Sequence, residues 1–158
     1  MTKKLKEFQQ GELSIPGVYL THSEYETIQL AKRLGEKFAG DEIVYLTGEL
    51  GAGKTVFTKG LAAGLGLKDI TQVCSPSFTL VNVYEGRCPI FHLDLYRINQ
   101  LDELDTLGWE DFLGQGVIII EWGEKMPEKL PGLAIKIEIV GENSRRIKII
   151  KRNGESKG

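Results

Sequence analysis

Apolar positions along this chain recur with two periods. Ile28, Ala31, Leu34 and Phe38 fall at the three- and four-residue spacing of one helix face. "SEYE" (23 to 26) has the form of a capping box, with Ser23 as cap and Glu26 reaching back. The pattern predicts a helix from about Ser23 to Ala39, broken by Gly40-Asp41. "EIVYLT" (42 to 47) predicts a buried strand, followed by a glycine-rich loop and a helix through "KTVFTKGLAAGLG" that ends near Gly64 to Gly66. "FTLVNVYEGRCPIFHLDLY" (78 to 96) predicts two strands joined around Glu85-Gly86-Arg87. "QLDELDTLGWEDFLG" (100 to 114) predicts a helix with acids in its first turn, where the helix dipole favours them. "GVIIIEW" (116 to 122) predicts a second buried strand. "LAIKIEIV" and "RRIKIIK" flank the turn "GENS" (141 to 144) as a terminal hairpin. In "RRIKIIKR" (145 to 152) charges alternate with Ile, which predicts the solvated face of an edge strand. Residues 1–17 read as a loose arm ending at the Pro16-Gly17 turn signal. Residues 18–152 then form one domain, and "NGESKG" (153 to 158) reads as a disordered tail.

Early strand, loop and helix with later hairpins outline an α/β domain, its central sheet mixed rather than purely parallel. At 158 residues the chain is long enough for one real core and short for two. A formal charge of −2 argues against a chain that grips nucleic acid unaided, because such grip rests on clustered Lys and Arg. Cys74 and Cys88 have no companions at zinc spacing and read as two reduced thiols. The polar opening "MTKKLKEFQQ" and the lack of a long apolar run predict a cytoplasmic protein with no membrane contact.

"GELGAGKT" (48 to 55) changes the picture from fold to chemistry. It matches G-x-x-x-x-G-K-[ST], the phosphate-binding loop, between a predicted strand and a predicted helix. Glycines let main-chain N–H groups close on phosphates, and the helix start adds partial positive charge. Lys54 supplies a cation for the terminal phosphates, and Thr55 offers a hydroxyl to magnesium. The fold class is therefore a P-loop NTPase-like three-layer domain with a mixed central sheet and a C-terminal β-hairpin.

A magnesium nucleotide site calls for a carboxylate at a neighbouring strand end. Glu121, after "VIII", and Asp94, in "IFHLDLY", both fit, and the sequence leaves their roles undivided between binding magnesium and positioning water. His92 reads as a buried histidine with a hydrogen-bond partner. Trp122 reads as core, as a shield for the site, or as a partner contact. No N-K-x-D appears to read guanine, and "DTLG" (105 to 108) lies in a helical stretch, so the nucleotide expected is adenine. A small-molecule kinase finds thin support in the scattered Arg87 and Arg97. A nucleotide-gated binding module, whose ATP orders Ser75 to Thr79 for a partner, stays open.

"LTGELGAGKT", "SPSFTLVNVY" (75 to 84), "FHLDLYR" (91 to 97) and "IIIEWGEK" (118 to 125) stand in series as in the TsaE family, also called YjeE, which this chain resembles over about residues 20 to 150. The glycine loop is generic, whereas the other three in series are specific. The resemblance implies a weak, magnesium-dependent, partner-stimulated ATPase that is not itself the carbamoyl transferase. It implies work with TsaB and TsaD in forming threonylcarbamoyladenosine in tRNAs that read codons beginning with A, the tRNA being reached through the complex. Its implied ligands are ATP and Mg²⁺. Carried onto this chain, the phosphate loop spans Gly48 to Thr55, with Glu49, Leu50, Gly51, Ala52, Gly53, Lys54, Thr55 and Val56 at the nucleotide. Thr55 and Glu121 match the magnesium ligands, and Asp94 matches an acid near the γ-phosphate. The resemblance places Lys54, Asp94 and Glu121 in the chemistry. Thr79 matches a switch-like loop at Ser75 to Thr79, and Glu24 matches a position near the nucleotide. An arginine of the last hairpin is implied there too, which leaves the adjacent Arg145 and Arg146 as alternatives. The family often has threonine or tyrosine where this chain has Ser77 or Phe78, and the polar arm before residue 18 is longer than the family implies.

Overall fold

Strands and helices alternate as the apolar pattern requires, in a computed structural model that describes residues 5–7, 13–76, 80–98, 101–126 and 130–153. In chain order the described elements are β1 (Leu5–Glu7), β2 (Gly17–Thr21), α1 (Glu24–Glu36), β3 (Ile43–Thr47), α2 (Lys54–Gly64), β4 (Val81–Glu85), β5 (Pro89–Asp94), α3 (Leu101–Leu107), β6 (Val117–Glu121), β7 (Gly132–Ile139) and β8 (Arg145–Arg152). The strands form one sheet in the order β1-β2-β8-β7-β3-β6-β5-β4. The centre is parallel: β3 lies between β6 and β7, and β5 continues beyond β6. Antiparallel β4 and β8 flank this centre, so the sheet is mixed.

The two apolar runs are central because both faces of the sheet are covered there. Val44, Leu46 and Ile119 face one core with Leu30, Leu34, Phe57 and Leu61 of α1 and α2. Ile43, Tyr45, Ile118 and Ile120 face a second core with Leu104 and Trp109. Helices, sheet and a second helical layer give the three-layer α/β architecture. Ser23 caps α1, its hydroxyl accepting from the Glu26 amide at 3.1 Å, while the Glu26 carboxylate accepts from the His22 amide at 2.8 Å.

Four expectations change. The helix read over 100–114 stops at Leu107, because Gly108 takes a left-handed φ of 69°, and a 3₁₀ turn (Trp109–Phe112) follows. β8 is not an edge strand: β2 pairs along its outer side, which the short, weakly periodic "GVYLT" did not announce. Its alternation arises because Ile147 and Ile149 are buried under α1 and α2 while Arg146 and Lys148 face outward. Within the span read as an arm, Leu5–Glu7 pair in parallel with β2. α1 is also shorter than expected, and Phe38 packs into the first core from beyond its end. The predicted strand residues Phe78 and Thr79, the site residue Thr79, and residues 154–158 of the predicted tail lie outside the described residues. Among the described residues no helix is long and apolar enough to cross a membrane.

Candidate functional site

The loop between β3 and α2 turns where only glycine fits easily. Gly53, immediately before α2, has φ 110°, and a Cβ at Gly48 would lie 2.6 Å from the Ile137 carbonyl oxygen of β7. The loop therefore lies against the sheet and presents main chain to the open end of β3. Lys54 begins α2 with 5% exposure. Its Nζ donates to the Gly48 carbonyl at 2.6 Å and the Glu49 carbonyl at 3.0 Å, and it stands 4.1 Å from the centre of the Trp122 ring. Burial pulls the ammonium pKa below the usual lysine range, against the attraction of Glu121, Glu124, Asp94 and Glu49. The shift is a downward one, and an arriving polyanion would oppose it.

Glu121 ends β6 and is 3% exposed. Both its carboxylate oxygens accept from the Thr55 hydroxyl at 3.0 Å, and Thr55 Oγ1 also lies 2.9 Å from Ser75 Oγ. Behind it His92 is fully buried, with Nε2 2.5 Å from Glu121 Oε2 and Nδ1 3.0 Å from the Tyr84 hydroxyl. Asp94 is the register partner of Glu121 on β5. Its Oδ1 accepts from the Tyr96 amide at 3.0 Å. Burial raises the Asp94 pKa above the usual carboxylate range, and Glu121 adds to this; the Tyr96 amide, His92 and Lys54 act the other way. Trp122 follows Glu121 with a left-handed φ of 60°, unusual for a bulky side chain, and this turn brings its indole over Lys54.

A cavity of about 470 Å³ gathers these groups. Its walls include Glu24, Leu50, Gly51, Ala52, Gly53, Lys54, Thr55, Val56, Asp94, Glu121 and Arg145. Glu49 contributes its carbonyl to Lys54. Of the two hairpin arginines Arg145 lines the cavity, its Nε donating to the Ala52 carbonyl at 2.8 Å. Arg146 alternates to the other face of β8 and lies 3.8 Å from Glu138. Sequence reasoning missed Thr27, Leu80 and Asn143, which also line the cavity. Nothing local marks them, because they arrive from a helix, a loop and a hairpin turn that meet only in the fold. Tyr96 and Arg97 line it too.

Among the described residues no cluster of three or more His, Cys, Asp or Glu forms a ready metal cage. Magnesium at nucleotide sites needs no such cage, since one or two protein oxygens join phosphates and waters. The donor set of Thr55 hydroxyl and Glu121 carboxylate fits that chemistry.

Comparisons with known proteins show the family. The model of the family TsaE, described as threonylcarbamoyl adenosine biosynthesis protein TsaE, matches residues 21–149. A tRNA threonylcarbamoyladenosine biosynthesis protein TsaE from Aquifex aeolicus is 38% identical over 134 residues, covering 84% of this chain and 95% of the relative. The protein of the same name from Bacillus subtilis is 41% identical over 126 residues, 77% of each chain. The crystal structure of Bacillus subtilis YdiB superposes with a TM-score of 0.61 at 34% identity, covering 84% of this chain and 82% of that one. The family match takes in the glycine loop, Asp94, Glu121 and Arg145 alike, and this chain belongs to the TsaE family.

Proposed function

We propose that the chain is a magnesium-dependent ATPase that acts with TsaB and TsaD in forming threonylcarbamoyladenosine in tRNAs reading codons that begin with A. The observation that carries this reading is one cavity shared by a buried loop lysine, a hydroxyl–carboxylate pair and a second strand-end carboxylate. Lys54, now on the Gly48 and Glu49 carbonyls, would turn to the terminal phosphates, which compensate its buried charge better than neutral carbonyls do. Thr55 and Glu121 would hold Mg²⁺, which supplies charge neutralisation for the β- and γ-phosphates. Asp94, whose proton affinity is raised by burial, is suited to accept a hydrogen bond from the attacking water and orient it. Arg145 ties the last hairpin to the loop and so fixes the cradle. Trp122 and Leu50 close the sides of the site. The carbamoyl transfer itself belongs, in this reading, to the partners. The chain's net charge of −2 supports the same division, with tRNA held through the complex. The setting is the cytoplasm.

The test is ATP turnover by the purified chain, alone and with the TsaB–TsaD pair of the same organism. Turnover that rises with the pair is the expected result. ATP bound without hydrolysis, even with the pair present, would overturn the ATPase and leave a nucleotide-gated switch. Turnover that requires an added metabolite and yields a phosphorylated product would replace it with a kinase.

A further inference from the structure

Behind the Thr55–Glu121 pair the side chains form a closed circuit. Glu121 Oε2 faces His92 Nε2 at 2.5 Å, and an ionised carboxylate only accepts, so Nε2 carries the proton. The Tyr84 hydroxyl lies 3.0 Å from His92 Nδ1 and 3.1 Å from the Cys74 carbonyl, so its proton bridges the ring and that carbonyl. The Tyr84 oxygen in turn accepts from the Cys74 amide at 3.3 Å, and the Cys74 carbonyl accepts from Asn82 Nδ2 at 2.9 Å. The neighbouring Ser75 hydroxyl returns to Thr55, which donates to Glu121. Cys74 and Ser75 are thus joined to the same carboxylate by two routes, one through main chain, Tyr84 and His92, and one through Thr55.

We infer that His92 and Tyr84 are positioning residues for Glu121: they hold its carboxylate in one orientation and tie that orientation to the Cys74–Pro76 segment. This rests on the reading of Glu121 as a magnesium ligand. His92 is fully buried at the middle of β5, where an aliphatic side chain would satisfy the core as well. A polar ring here leaves two nitrogens that must both be partnered, and both partners lead to the site. Without the Nε2 donor, the carboxylate would keep only the Thr55 hydroxyl and rotate about it. When Thr55 turns from Glu121 towards a cation, the Tyr84–His92 route still holds the carboxylate, while Ser75 loses one of its constraints. The buried pair therefore separates two jobs, orientation of the ligand and release of the adjoining loop.

The experiment measures binding of a fluorescent ATP analogue across a magnesium titration, using the full chain. Tyr84→Phe removes the hydroxyl without changing ring size, His92→Leu removes the donor, and His92→Gln keeps an N–H near the Nε2 position. Tyr84→Phe and His92→Leu should raise the magnesium concentration at half effect by about tenfold, as loss of a ligand's supporting hydrogen bond does. Binding without magnesium should stay at the parent's value, and His92→Gln should recover most of the shift. Glu121→Gln separates the two layers of the argument. If it moves the magnesium dependence while Tyr84→Phe and folded His92→Leu do not, the positioning role is wrong and the ligand assignment stands. If Glu121→Gln leaves the magnesium dependence unchanged, the underlying reading fails. Should His92→Leu melt below the assay temperature, Tyr84→Phe alone decides.

Discussion

On the β3–α2 side the cavity is walled by main chain, with carbonyls of Gly48, Glu49 and Ala52 engaged by Lys54 and Arg145. On the β5–β6 side it is walled by carboxylates, Asp94 and Glu121, at adjacent strand ends. The first wall is cationic and built from peptide groups, whose path requires glycine at Gly48 and Gly53. The second depends on individual side chains whose charge and orientation are set by burial and by His92, Tyr84 and Thr55. Under the proposed function, the contrast teaches that affinity for phosphate and the chemistry on it would be carried by separate parts of one fold. A strand–loop–helix unit would supply the former, and two strand ends brought together by a parallel pairing the latter.

The largest expected effect comes from breaking the first wall. Lys54→Ala should weaken binding of a fluorescent ATP analogue by about 10- to 100-fold and lower turnover further, since a charge-assisted contact to phosphate is lost. An unchanged affinity would remove Lys54 from the phosphate site. Next comes the second wall. Asp94→Asn should lower turnover by about 100-fold while binding changes by less than about threefold, because orientation of the water is lost and the cradle is not. Equal losses of both would place Asp94 in binding instead.

The same substitution has a pH signature. Burial raises the folded-state pKa of Asp94, so the folded chain holds this proton more tightly than the unfolded chain does. The resulting destabilisation is present above the folded pKa and is relieved as pH falls through it. Asp94→Asn should therefore melt above the parent at neutral pH, by a gap that narrows as the solution is acidified through the folded-state pKa. A constant gap in calorimetry across that acidification would contradict the raised pKa.

The smallest effects sharpen the boundary of the site. Arg145→Ala removes bonds to the Ala52, Gly141 and Ser144 carbonyls, and should lower the melting temperature by about 2–4 °C with a few-fold loss of ATP affinity. Arg146→Ala, next along the strand but paired only loosely with the half-exposed Glu138, should change stability by less than about 0.5 kcal/mol and ATP affinity not at all. A reversal of the two results in parallel titrations would mean that β8 is out of register by one residue.

How much was legible beforehand differs by region. β3, the glycine loop and α2 were legible because each leaves a local mark: an apolar run, a fixed glycine spacing, a helical period. Glu121 and Asp94 were legible as acids at the ends of such runs. The choice between Arg145 and Arg146 was not, since alternation says that the two face opposite ways and leaves open which way the sheet is covered. The helix over 100–114 was overread because the period survives the break at Gly108, and the break depends on a left-handed turn. β2 was missed because a short strand paired beside β8 draws its stability from neighbours rather than from its own residues.

By itself the sequence determined the phosphate-binding loop, the α/β class and the residue types at two strand ends, all products of short-range periodicity and spacing. Only the tertiary structure decided that β5 and β6 are neighbours, and so that Asp94 and Glu121 share a cavity with Lys54. It alone joined His92, Tyr84 and Cys74 into a circuit behind Glu121. Those pairings connect residues up to 66 positions apart in the circuit, at Thr55 and Glu121, and 93 apart at Arg145 and Ala52. Contacts of that range are fixed by which apolar faces find cover, a property of the whole sheet and not of any one segment.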